Sequence, residues 1–170
     1  MSELRIYHES TPTQARKIFT RHGDVAETLK AVGIRFERWD AGQSLTETST
    51  GEEIIAAYRD CIERLKSACG FRAVDVIRMF PEHPEKDALR AKFLREHIHT
   101  EDEIRFFVEG GGLFFLHIGE HIYAVDCEKS DLISVPAGTK HWFDAGPNPH
   151  FTAIRFFTNP EGWVAQYTDP

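Results

Sequence analysis

Two histidines stand one residue apart, His97 and His99, and Glu103 follows four positions on, in the stretch "EHIHTEDEIRFFVEGGG". On an extended strand alternate side chains share a face, so the two imidazoles point the same way. Glu103 keeps that parity if the chain stays extended, or regains it after a turn at "TED". Two imidazoles and a carboxylate converging on one side make a set of transition-metal ligands. The competing reading puts one histidine at a turn, the other in solvent and the carboxylate in water. A further histidine, His141, follows the turn "PAG" at the start of "KHWFD". A barrel that folds this run back beside the first would bring it to the same place. Three nitrogens and one oxygen, with no thiolate, suit Fe(II), Ni(II) or Mn(II), and suit Zn(II) or Cu(II) less well. Four protein ligands on an octahedral ion leave two positions open for a bidentate substrate.

The elements that must hold these residues change character along the chain. From residue 97 onward short strand-like runs follow at close intervals: "EIRFFVEGG", "GLFFLHIGEHIYAVD", "DLISVPAG", "KHWFD", "FTAIRFFTN" and "GWVAQY". Gly, Pro, Asn and Asp turns separate them, and "HIGEH" reads as a hairpin, which indicates an antiparallel sandwich or barrel. Before residue 97, "LRIYHES", "GIRFERWD" and "FRAVDVIRMF" read as strands, and residues 12–33 as a helical segment. "STGEEIIAAYRDCIERLKSACG" reads as one helix, capped by Thr50 and closed by Gly70. "HPEKDALRAKFLREH" reads as a short helix opened by proline. The expected class is α+β, mainly β: one domain over residues 1–170, with a helical and strand part at 1–96 and an antiparallel barrel carrying the metal site at 97–170.

Composition bounds the function. The chain has 170 residues, 41% of them hydrophobic, and a net charge of −7. That charge argues against nucleic acid as a partner, which needs a basic stripe. It does not exclude an anionic small molecule met by a few placed arginines. The apolar runs are too short to cross a bilayer, and the first residues lack a signal peptide's layout. Cys61, Cys69 and Cys127 form no CxxC pair, which fits buried thiols in the cytoplasm. No apolar stripe is left over once a core is assigned, so a monomer is expected.

HxHxxxE followed by Gly110, then "PAGTKHWFD", resembles the two joined motifs of the cupin superfamily, whose fold is a jelly-roll β-barrel. Within it, "EHIHTEDEIRFFVEGGGLF" with "PAGTKHWFD" is similar to the acireductone dioxygenase family, and "TGEEIIAAYRD" and "KFLREH" extend the likeness toward the N-terminus. The chain departs from the general cupin pattern at Ala91 and Ser130, where glycine is usual, and at Ala145, where asparagine is usual. None of these removes a ligand.

The resemblance implies a metal-dependent dioxygenase of methionine salvage, with one Fe(II) or Ni(II) per chain held by His97, His99, Glu103 and His141. Its substrates would be O2 and an acireductone, 1,2-dihydroxy-3-keto-5-methylthiopentene. Iron would give formate and 4-methylthio-2-oxobutanoate; nickel would give formate, CO and 3-methylthiopropionate. Arg105, on the same face as Glu103, would favour the substrate dianion, since a cation there is costly to bury without an anionic partner. Arg155, in the near-identical setting "AIRFF", would face the substrate. Phe93, Phe143 and Trp163 would line the pocket for the methylthio tail. Glu96 would assist metal loading and Asp102 would relay local shape changes, either of them orienting imidazole N–H groups. His117 and His121 could meet across a hairpin, while His8, His22, His83 and His150 read as surface or loop residues. The rival functions are another cupin metalloenzyme, such as a thiol dioxygenase or sugar-phosphate isomerase, and a non-enzymatic metal- or ligand-binding cupin.

Overall fold

A computed structural model of the chain describes residues 2–159 and 164–168. One antiparallel sheet holds β1 (Glu3–His8), β2 (Ala15–Phe19), β5 (His97–Ile98), β7 (His121–Cys127), β9 (Lys140–Asp144) and β11 (Gln166–Tyr167). The second holds β3 (Arg35–Arg38), β4 (Ala73–Met79), β8 (Asp131–Val135) and β10 (His150–Phe157). Strand β6 (Glu103–Ile118) belongs to both. Its first half pairs with β8 and β10, and its second half with β7 and β9. Between the sheets lies a core that includes Leu4, Phe36, Phe107, Phe114, Val125, Phe143 and Phe151. The result is a cupin-type antiparallel barrel whose hydrogen bonding does not close into a ring.

The three glycines, expected to separate two strands, lie inside β6 where it passes from one sheet to the other. A Cβ at Gly110 would sit 1.8 Å from the carbonyl oxygen of His150, and one at Gly111 would sit 1.9 Å from that of Cys127. Only residues without a side chain let β6 run that close to β10 and β7.

The N-terminal strands complete both sheets: β1 pairs with β7, β3 with β8, and β4 with β10. Residues 12–33 are not helical throughout. Ala15–Phe19 is a strand on the free edge of β1, and only α1 (His22–Lys30) is helical. Pairing with a waiting edge satisfies the backbone of Ala15–Phe19 and overrides local helix propensity. The expected helix after Thr50 is two, α2 (Gly51–Ala57) and α3 (Arg59–Cys69). They break at Tyr58, whose ring meets Phe106 edge-on at 5.7 Å and whose hydroxyl accepts the Gln43 N–H at 3.3 Å. The caps are as read: Thr50 accepts the Glu53 N–H, and Gly70 is left-handed at φ 72°.

Helices α2 and α3 cover the outer face of the second sheet. Ile54, Ile62 and Leu65 pack against Ile104, Phe106 and Phe156, each fully buried side chain contributing about 1.5–3 kcal/mol. "EIRFFV" is therefore buried on both faces and does not alternate. Helix α4 (Lys86–Phe93) follows Pro84 and leads into β5, where the first histidine sits.

Candidate metal centre

Register brings the histidines together. His97 on β5 is opposite His141 on β9, and His141 is also opposite Leu116 on β6. The loop between β5 and β6 is tied to the "PAG" turn at two points. The His99 carbonyl accepts the Gly138 N–H at 3.0 Å, and Asp102 accepts the Ala137 N–H at 2.8 Å. Ligand nitrogens of His97, His99 and His141 consequently lie within 4.8 Å of one another. Glu103 Oε2 is 3.4 Å from His99 Nε2 and 3.6 Å from His141 Nε2.

The tautomers follow from the neighbours. Nδ1 of His97 is 2.8 Å from the Arg95 carbonyl, and Nδ1 of His141 is 2.8 Å from the Thr139 carbonyl. A carbonyl only accepts, so both Nδ1 atoms carry the proton and both Nε2 atoms present a lone pair. His141 Nε2 and Glu103 Oε2 are buried without a hydrogen-bond partner. Each such atom costs about 1–3 kcal/mol unless something meets it, and a cation between them would meet both. A divalent metal fits this donor set.

Burial lowers the pKa of His97 to about 4, with His141 pushing the same way. Burial lowers His99 as well, against the pull of Glu103. For Glu103, burial would raise the pKa, but Arg105, His141 and His99 hold the carboxyl well below its usual range. At neutral pH His97 and His99 are therefore neutral and Glu103 is a carboxylate, the protonation state that binds metal.

Arg105 donates from Nε and Nη2 to Glu103 Oε1, at 3.1 and 2.8 Å. Its guanidinium carbon is 5.1 Å from the ring centroid of Phe114 and 5.3 Å from that of Phe143. A cavity of about 600 Å³ opens over the three histidines. Arg105, Arg155, Phe93 and Phe143 line it, together with Met79 and Leu89. Arg78 and Lys92 add two more cations to its walls. Trp163 lies outside the described residues.

Several expectations need correction. The imidazole N–H groups of His97 and His141 go to backbone carbonyls, not to Glu96 or Asp102. Glu96 instead accepts from Thr168 Oγ1 at 2.7 Å and meets His117 Nδ1 at 3.0 Å. His117 and His121 are not brought together: His117 sits between Glu96 and Glu9, and His121 lies edge-on to His8 at 5.6 Å. Among the described residues the three-histidine cluster is the one metal-capable group of its kind. His22 is no bystander, since its ring stacks on Phe36 at 5.1 Å. Sequence reasoning missed Phe114, stacked on His141 at 5.5 Å, and Tyr167, opposite His97 on β11. Both positions depend on register, which spacing along the chain does not carry.

A cupin-type barrel with three histidines and a glutamate at the foot of a cationic cavity defines the class as that of cupin metalloproteins. Residues 3–165 match the family described as the ARD/ARD' family, and the chain belongs to that family. It is 60% identical over 168 residues to the acireductone dioxygenase of Pseudomonas paraeruginosa, covering 99% of this chain and 93% of that one. It is 57% identical to the acireductone dioxygenase of Stutzerimonas stutzeri, with the same coverage. The solved acireductone dioxygenase of Bacillus anthracis, with a cadmium ion in its active centre, superposes with a TM-score of 0.83 at 31% identity, covering 98% of each chain.

Proposed function

We propose that the chain is an acireductone dioxygenase, and that His97, His99, Glu103 and His141 hold one Fe(II) or Ni(II) ion. The observation that carries the reading is the pair of partnerless buried donors, His141 Nε2 and Glu103 Oε2, facing one another beneath the cavity. The family membership and the cadmium in the Bacillus anthracis relative support it. When bound, the ion supplies Lewis acidity that favours the ionised enediol and a template for its oxygens.

The chain's own residues do the rest. The Glu103 carboxylate and the Arg105 guanidinium cancel, so the protein's part of the site is neutral. A divalent ion added to it is balanced by a doubly charged, two-oxygen ligand, and the acireductone dianion is such a ligand. Arg105 stabilises the charged over the neutral enediol, as an opposite charge does for any acid. Arg155 faces the second anionic oxygen from β10. Phe93 and Phe143 line the wall for the methylthio tail. Asp102, by holding the "PAG" turn, couples the loop after His99 to the strand of His141.

The products test the assignment. Protein loaded with Fe(II) should release formate and 4-methylthio-2-oxobutanoate from the acireductone, and protein loaded with Ni(II) should release formate, CO and 3-methylthiopropionate. Formate from neither form would overturn the reading.

A further inference from the structure

Asp75 lies outside the histidine cluster, yet the sheet delivers it to the cavity wall. Arg155 on β10 is opposite Asp75 of β4 on one side and opposite Arg105 of β6 on the other. Directly opposed residues have Cβ atoms about 4.5–5.5 Å apart, and like charges so placed repel. Two guanidinium groups therefore stand as neighbours in one wall, and each has its own carboxylate. Arg105 binds Glu103. Arg155 binds Asp75 at two points, Nε to Oδ1 at 2.9 Å and Nη2 to Oδ2 at 2.5 Å.

A two-point bond fixes the plane of a guanidinium as well as its place. With the Nε–Nη2 edge on Asp75, the edge carrying Nη1 is the one left for an anion in the cavity that Arg155 lines. Neither partner is fully buried, the side chains being 16% and 28% exposed for Arg155 and Asp75. Without its carboxylate the long arginine chain could swing out to water.

We propose that Asp75 is a positioning residue, which turns Arg155 away from Arg105 and aims its Nη1 edge at an anionic oxygen of the substrate. This rests on the reading of Arg155 as substrate-facing. The test uses full-length, Fe(II)-reloaded protein: wild type, D75N, D75E, R155A and the double variant D75N/R155A. D75N should lose about 10- to 100-fold in kcat/KM, mostly through KM, because Arg155 meets the substrate before reaction as well as during it. D75E should recover part of the loss. In the R155A background, D75N should add nothing. Losses that multiply in the double variant, or a D75N protein with wild-type kcat/KM, would overturn the role of Asp75. Collapse of the fold in D75N, read by thermal melting, would assign Asp75 to stability and overturn it too. An R155A protein as active as wild type would overturn the reading of Arg155 itself, and this proposal with it.

Discussion

Arg105 is a cation held 7% exposed in the wall of the cavity, with Glu103 on one edge and the Phe114 and Phe143 rings nearby. In the role proposed for it, its charge would act where the substrate's negative charge develops, in a site shielded from water, where such groups are worth more than in bulk solvent. Replacing it with glutamine should lower kcat/KM about 10²- to 10³-fold in steady-state oxygen uptake. Lysine should recover only part, since it keeps the charge but not the planar fork that Glu103 accepts. His97, His99, Glu103 and His141 were legible in the sequence because alternation along a strand and the "PAG" turn restrict where those side chains can go. Their hydrogen-bond partners were not. The carbonyls of Arg95 and Thr139 leave no mark in residue type, so acids nearby in sequence, Glu96 and Asp102, were natural but mistaken candidates for that work.

At the scale of elements, the barrel strands were readable from turns and periodicity, whereas the places where tertiary pairing wins were not. Ala15–Phe19 became a strand because β1 offered an edge, and β6 ran through its glycines because β10 and β7 press on its backbone. The turn between β7 and β8 shows a cost the sequence did signal. Ser130, standing where cupins usually carry glycine, has φ 84°, a left-handed conformation that costs a residue with a side chain about 1–3 kcal/mol. The Ser130 N–H donates to the Phe107 carbonyl at 2.8 Å, and its own carbonyl accepts the Trp39 N–H at 2.9 Å, so the turn is held from both sides. Both bonds are backbone and survive substitution. Ser130→Gly should therefore raise stability by about 1 kcal/mol, seen as a higher Tm, and Ser130→Ala should not.

Across the whole molecule, three distant segments meet at His117. Its Nε2 is 2.9 Å from Glu9 just past β1, and its Nδ1 is 3.0 Å from Glu96 beside the first histidine. Thr168 near the C-terminus donates to the same Glu96. Burial works against the charge on His117, but Glu96 and Glu9 outweigh it and raise its pKa above 6.5. Burial would raise Glu96, but Thr168 and His117 outweigh it and lower its pKa below 4.5. A raised histidine contributes stability that is full below about 6.5 and fades as pH rises through its folded value. A lowered glutamate contributes above about 4.5 and fades as pH falls through its own. The clamp is thus strongest between about pH 4.5 and 6.5. His117→Gln should cost about 0.5–1 kcal/mol there, given the partial exposure of the groups. The Tm gap to wild type should narrow by about pH 8. The molecule carries a net charge of −7, and its cavity is one place where Arg78, Arg105 and Arg155 are each met by a carboxylate, Glu109, Glu103 and Asp75, with Lys92 on the same wall. What that place does is tested most directly by oxygen uptake on an acireductone, using protein stripped of metal and reloaded with Fe(II), beside a His99→Ala control. The account predicts one iron per chain and rapid uptake in the wild type, with both lost in the control. Full iron loading with uptake no faster than the substrate's own autoxidation would contradict it.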